Sequence, residues 1–550
     1  MVGDVWVAGG QSNMEHNMGS FDWYYKKEIA NSRNDNIRQF LVPETFDFNG
    51  PQKDFKSGSW KCANPKNVLK FSAVAYFFAK YIYDKYKVPI GLINSSLGGS
   101  PAESWLSAGA LKEFPKYYAE AQKYKNNELI KQIRESDSKR INAWYAQSWE
   151  KDKGYKNPDE VWYDPSLNTS GWSTMKIPGY WADNTNLGPV NGVIWFRKKV
   201  DIPASMIDKP GKLILGRIVD ADSCFINGKF IGTTSYLYPR RKYYIPPGVL
   251  KEGENTVVVR VISNIGVGGF VPDKPYEITA GKESVSLKGE WKYRVGDKMQ
   301  PLQSQTFIRW MPEGLYNAMT APLLNYRIKG VIWYQGESNA NNPAQSIEYK
   351  KLFPAVIRNW REKWNEGNFP FLFVQLPNFM KPDSLPSESN WALLREAQLD
   401  ALSLPNTGMA VTIDIGEWND IHPVDKKDVG KRLALAAEKV AYGDNNVVYS
   451  GPIYKSMKIE GSRIVLSFSH TGKGLIAKGG GPLKYFAIAG ADKHFVWAEA
   501  EIKGNKVIVW NSKITKPVAV RYAWADDPQG ANLYNKEGLP ASPFRTDNFQ

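Results

Sequence analysis

Only two cysteines occur in 550 residues, Cys62 and Cys224, and they fall in segments of different texture. A pair so far apart supports neither a disulfide framework nor a thiolate metal site, and it leaves the redox compartment open. Histidine is also scarce, with His16, His422, His470 and His494 the full complement. Any reaction that needs an imidazole has four candidates. No uninterrupted apolar run approaches the roughly 18 residues of a membrane span, and the best, residues 73–83, is broken by Lys80. No membrane association is expected. No signal peptide is expected in this chain, which opens on a strand at Asp4 as a mature or trimmed form would. Long repeats and low-complexity stretches are lacking as well. Acidic residues are the minority sign, 56 against 71 Lys and Arg, for a net charge of +15. The basic residues are scattered among acidic ones, as over 123–140, and form no stripe with interleaved aromatics, so no nucleic-acid partner is expected. The charge leans only faintly toward an anionic substrate.

What the chain has is aromatic surface, 13% of residues with 20 Trp, which suits stacking on sugar rings. Its length exceeds the roughly 250 to 300 residues at which single cores stop growing, so several domains are expected. Residues 4–8 read as a short buried strand, Gly9 and Gly10 turn the chain, and 11–18 start a helix. A helical run over 73–85 and a strand over 89–94 follow, the alternation that marks a parallel α/β sheet. From Trp162 the pattern turns to short β runs with Pro and Gly turns, including a hairpin at Asn227-Gly228. Helix and parallel-strand texture returns after residue 300 and gives way to β again beyond Tyr442. The expected domains are an α/β domain over 1–155 and 301–445, a β-sandwich inserted at 156–300, and a C-terminal β-sandwich at 446–550.

Acyl transfer needs a nucleophile, a base, a group to orient the base, and donors for the oxyanion. Loops at the carboxyl ends of parallel strands gather at one edge of the sheet, and Ser12, Gly98, Gly99, Glu337 and His422 all fall on such loops. Each alone has a bland reading: a helix cap, a turn, a solvated charge. Their convergence points to chemistry. His470 and His494 lie in the C-terminal β segment, away from those loops.

Four blocks in order carry a resemblance. Gly10-Gln11-Ser12-Asn13-Met14 looks like the first block of the SGNH hydrolases, and residues 91–105 are similar to the second. Trp333-Tyr334-Gln335-Gly336-Glu337-Ser338-Asn339 resembles the third in its sialate O-acetylesterase version, and Asp420-Ile421-His422-Pro423 the last. The resemblance implies a flavodoxin-like three-layer α/β/α domain interrupted by a jelly roll. Residues 225–229, Phe-Ile-Asn-Gly-Lys, look like the sandwich modules attached to β-galactosidases. It also implies Ser12 as nucleophile, His422 as general base, oxyanion donors from the Ser12 N–H, the Gly99 or Gly98 N–H and the Gln335 side chain, and Gln11 and Asn13 as further site residues. The substrate class it implies is an acetylated carbohydrate, either sialic acid or a plant polysaccharide such as xylan, with a secreted or periplasmic destination. No cofactor and no metal is called for, since His16 lacks a second ligand in metal spacing. The sequence carries no sign of oligomeric state.

Two departures matter. Many SGNH enzymes place the acid three residues before the base, where this chain has Asn419, with Asp420 two before and Glu417 five before. The third block reads Gln335-Gly336-Glu337 in place of Gly-x-Asn-Asp, and in relatives with this pattern the glutamate can orient the histidine. Asp420 and Glu337 therefore both stand as the acid. Two rival classes remain: a glycoside hydrolase using Glu337 with Asp414 or Asp420, and a non-catalytic sugar-binding protein.

Overall fold

The computed structural model describes residues 2–549. One sheet is formed by strands β1 (Asp4–Gly10), β2 (Asn34–Leu41), β3 (Trp60–Ala63), β4 (Ile90–Ser96), β5 (Gly330–Tyr334), β6 (Phe371–Val374) and β7 (Thr407–Ala410). Its order is β7-β6-β5-β1-β4-β2-β3, parallel except for β3, which runs antiparallel to β2. The helices that concern the site are α1 (Ser12–Glu15), α2 (Ala73–Tyr86), α3 (Pro343–Trp364), α4 (Asn390–Asp400) and α5 (Lys426–Val440).

The central strands β5 and β6 are apolar and buried throughout, so the sheet must be covered on both faces there. The pairings Trp6↔Gly330 and Gly9↔Trp333 put Trp6 and Trp333 on opposite faces, because side chains alternate along a strand. Trp6 meets Phe78 of α2 edge-on, with ring centres 5.0 Å apart, and Trp333 stacks on Phe353 of α3 at 6.5 Å. Helices therefore lie on both faces, giving three layers. The strand order departs from a flavodoxin-like sheet in one respect, since β4 stands between β1 and β2. The chain winds to β4 on one side of β1 and to β5 on the other, which makes β1 the switch point of the sheet, the position at whose carboxyl end ligand sites form in open α/β folds.

The chain forms two compact units, one made of residues up to Leu129 together with those from Phe307 onward, the other of Ile130–Thr306. The second unit holds antiparallel sheets of six, four and three strands around its own apolar core. Asn227 and Gly228 both adopt positive φ, +50° and +80°, and join two paired strands as the hairpin turn expected of Asn-Gly. This unit begins earlier than the change of texture near Trp162. Asp152, at the end of a helix, is fully buried where it accepts from Trp195 Nε1 at 2.9 Å and pairs with Arg260 at 2.7 Å.

In the first unit the strands after residue 450 share one continuous core with the seven-stranded sheet, in which Ile464, Val507 and Tyr522 belong with Trp333 and Leu372. The fully buried Arg395 of α4 donates to the carbonyls of Leu376, Pro377, Ala525 and Asp526, tying the two regions together. Among the described residues no helix is long and apolar enough to cross a membrane.

Candidate active site

Gly10 closes β1 at φ +124°, and a β-carbon there would lie 2.1 Å from the Tyr334 carbonyl oxygen. Only glycine lets β1 turn this close to β5. The Gln11 N–H donates to that same carbonyl at 2.9 Å, and Gln11 Oε1 accepts from the N–H groups of Gly336 and Ser338 at 3.3 and 3.2 Å. The buried Gln11 side chain thus pins the loop after β5 against the start of α1.

Ser12 is the first residue of α1 and half-buried. The first N–H groups of a helix have no partner within it. Among the described residues, neither the Ser12 N–H nor the Gly99 N–H makes a hydrogen bond within the protein. Gly99 sits at φ +74° with the Trp310 ring 2.0 Å from where a β-carbon would stand, and Trp310 Nε1 donates to the Gly98 carbonyl at 2.8 Å. Trp310 therefore clamps the turn after β4 next to the serine: a β-carbon on Gly98 would lie 3.6 Å from Ser12 Cβ. The Glu15 carboxyl reaches the same turn, with Oε2 2.8 Å from where a β-carbon on Gly98 would stand. Burial, with Glu44 adding like charge, pushes that carboxyl up to about 7 against the pull of the Gly98 hydrogen bond.

His422 arrives on the loop between β7 and α5, and its Nε2 stands 2.9 Å from Ser12 Oγ. The His422 N–H donates to Asp420 Oδ1 at 3.0 Å, and the His16 ring lies edge-on to the His422 ring with centres 4.4 Å apart. Beneath the pair, the fully buried Asn13 donates through Nδ2 to Glu337 Oε1 at 2.6 Å and to the Ile421 carbonyl at 2.9 Å. The other oxygen of Glu337, Oε2, is buried without a hydrogen-bond partner, so neither oxygen of Glu337 bonds to His422.

The structure brings Ser12, His422, Asp420, Glu337, Asn13, Gln11, Gly98 and Gly99 to one place. Gln335 requires a correction. Its amide is fully buried and donates to the Ser100 carbonyl and to Asn339 Oδ1, while its Oε1 accepts from Tyr349, so it braces the loop instead of presenting a donor to an oxyanion. Asp414, one carboxylate of the glycoside-hydrolase reading, is held by both nitrogens of the Arg432 fork at 2.6 and 2.8 Å. His470 bonds to Tyr449 in the C-terminal β segment.

Sequence reasoning passed over Trp310, the contact of His16 with His422, and Lys426. For Lys426 a signal existed: a lysine in the first turn of a helix opposes the positive end of its dipole, where acidic residues are favoured.

The sequence matches the family of carbohydrate esterases described as sialic acid-specific acetylesterases over residues 2–162 and 302–439, more than half of the chain. Residues 158–264 match the second all-β domain of β-galactosidases. Sialate O-acetylesterase of Mus musculus is 34% identical over 254 residues, which is 42% of this chain and 46% of the mouse protein. The Homo sapiens protein of the same name is 32% identical over 256 residues, 42% of this chain and 48% of its own length. The chain thus spans about half the length of the curated relatives it matches. Among solved structures, a carbohydrate acetylesterase from Xanthomonas citri is 30% identical, with a TM-score of 0.61 covering 100% of this chain and 81% of that one. By the extent of these matches, the chain belongs to the carbohydrate-esterase family of sialic acid-specific acetylesterases.

Proposed function

We propose that this protein is a serine O-acetylesterase that removes acetyl groups from carbohydrate hydroxyls. The observation that carries the reading is Ser12 Oγ at 2.9 Å from His422 Nε2, beside the unpaired N–H groups of Ser12 and Gly99. Ser12 Oγ attacks the acetyl carbonyl carbon while His422 Nε2 takes its proton. The carbonyl oxygen becomes an oxyanion facing the two N–H groups, which meet charge that exists only in the transition state and intermediate. Collapse breaks the bond to the sugar oxygen, His422 returns the proton to that oxygen, and acetyl-Ser12 remains. A water molecule, deprotonated by His422, then attacks the acetyl carbon, and acetate leaves as Ser12 Oγ is reprotonated. Asp420 is the acid in this scheme, because Glu337 is turned to Asn13 and Asp420 already anchors the His422 backbone.

Acetate release from an O-acetylated sialic acid and from acetylated xylan, measured side by side, tests the substrate. The family and its named relatives favour the first; the second is the alternative. Ser12→Ala is expected to lower turnover on the preferred ester by roughly 10⁴- to 10⁶-fold, and wild-type activity should fall on acidification as the histidine base is protonated. Full turnover by Ser12→Ala, or a flat profile between about pH 5 and 8, would refute the scheme.

A further inference from the structure

Lys426 has no part in the acyl-transfer steps, yet its side chain is fully buried at the start of α5. A buried ammonium is costly unless charge and hydrogen bonds answer it. Its Nζ donates to Asn13 Oδ1 and lies 5.6 and 5.8 Å from the ring centres of Phe21 and Tyr334. The other end of the Asn13 carboxamide donates to Glu337 Oε1 and to the Ile421 carbonyl. A flipped amide would set two donors against each other at Lys426 and two acceptors at Glu337, so the flanking charges fix which way Asn13 points. Asn13 follows the nucleophile and Ile421 precedes the base, so this one carboxamide ties together the two chain segments, 408 positions apart, that carry Ser12 and His422. The acidic groups facing Lys426 are Glu337, Asp420, Glu417 and Asp425. Burial pushes the lysine down to about 8 and pushes the Glu337 carboxyl up, while each partner's charge opposes that drift in the other.

We propose that Lys426 and Glu337 form a buried charge pair, coupled through Asn13, that positions Ser12 and His422 against each other, and that Glu337 is not the carboxylate that orients His422. The proposal rests on the serine-esterase reading given above. Removing one charge leaves the other buried and uncompensated and frees the Asn13 side chain to turn; removing both takes away the mismatch.

The experiment compares Lys426→Met, Glu337→Gln, the double variant and Asp420→Asn in the full chain, by kcat and KM on p-nitrophenyl acetate, by the pH profile of kcat/KM, and by thermal midpoint. Each single change of the pair is expected to lower kcat roughly 10- to 100-fold with KM nearly unchanged, the mark of misplaced reacting groups. The double variant should be no worse than the poorer single in both kcat and midpoint. Asp420→Asn should move the acid limb of the profile further than Glu337→Gln does. Losses that multiply in the double variant, or a Glu337→Gln profile displaced as far as that of Asp420→Asn, overturn the proposal. If Lys426→Met does not fold alone, a folded double variant supports the pair, and a double variant that fails where Glu337→Gln folds counts against it. Failure of the esterase reading would look different: Ser12→Ala would keep turnover, while the coupling in thermal midpoint would still report on the charge pair.

Discussion

Glu15 lies one helical turn beyond Ser12, with Oε2 2.8 Å from the point a β-carbon on Gly98 would occupy. Its carboxyl is raised from the ordinary 4.5 to about 7, chiefly by burial. Below about pH 4.5 the group is protonated in folded and unfolded chains alike, so it contributes no pH dependence. Between about 4.5 and 7 the unfolded chain releases the proton and the folded chain holds it, so stability falls as pH rises; above 7 the full cost is present. Glu15→Gln keeps an acceptor for the Gly98 N–H and removes the titration. Its thermal unfolding is expected to match the wild type near pH 4 and to show a gain on the order of 1 to 3 kcal/mol near pH 8. A gain of equal size at both pH values would show that the carboxyl is not held in this state. At this scale legibility from sequence was uneven. Ser12 and His422 were readable because each sits in a short block whose local turn dictates its exposure. Gln335 was misjudged because a glutamine amide is a donor by type, and only its burial against Ser100, Asn339 and Tyr349 shows that the donor is taken. The role of Lys426 depends on a contact 413 positions away, which no local pattern encodes.

Two glycines separate backbone freedom from close approach at the scale of elements. Gly50 and Gly10 both have φ in the left-handed half, +146° and +124°, but a β-carbon at Gly50 would meet nothing within 4 Å, whereas one at Gly10 would run into the backbone of β5. A backbone carbonyl in a central strand cannot swing away as a side-chain end can. Gly50→Ala is expected to cost only the conformational strain of roughly 1 to 2 kcal/mol. Gly10→Ala should cost at least about twice that and should abolish acetate release, because parting β1 from β5 moves Ser12 and unseats Gln11 from the loop carrying Glu337. Equal thermal midpoints for the two variants would contradict the packing argument. The strand leading to Gly10 was legible from its apolar run, but it continues through Gly9 and Gly10, where a turn was expected, and α1 stops at Glu15 instead of running to Met18. The place of β4 between β1 and β2 was not legible, since strand order is decided by which distant edges pair.

The whole molecule is where pattern reading is weakest, because alternation identifies strands but not the core they join. The β segment beyond residue 450 reads as a separate sandwich, yet its apolar side chains close one core with the catalytic sheet, and Arg395 crosses between them. Arginine is rarely fully buried unless it is paired, and here four of its five N–H donors satisfy carbonyls, two after β6 and two in the C-terminal segment. Removing the guanidinium strands those carbonyls away from water, at about 1 to 3 kcal/mol for each one that finds no new partner. Arg395→Met is therefore expected to lower the stability of the C-terminal strands and of the catalytic sheet together, by roughly 3 kcal/mol or more. Hydrogen exchange read by mass spectrometry distinguishes this from a docked but independent domain. Amides of Phe486–Ala489 and of β5 should lose protection in the same step and by similar factors. If the C-terminal strands exchange early in the variant while β5 keeps its wild-type protection, the segment is a domain of its own and the shared core is a contact surface between two folding units.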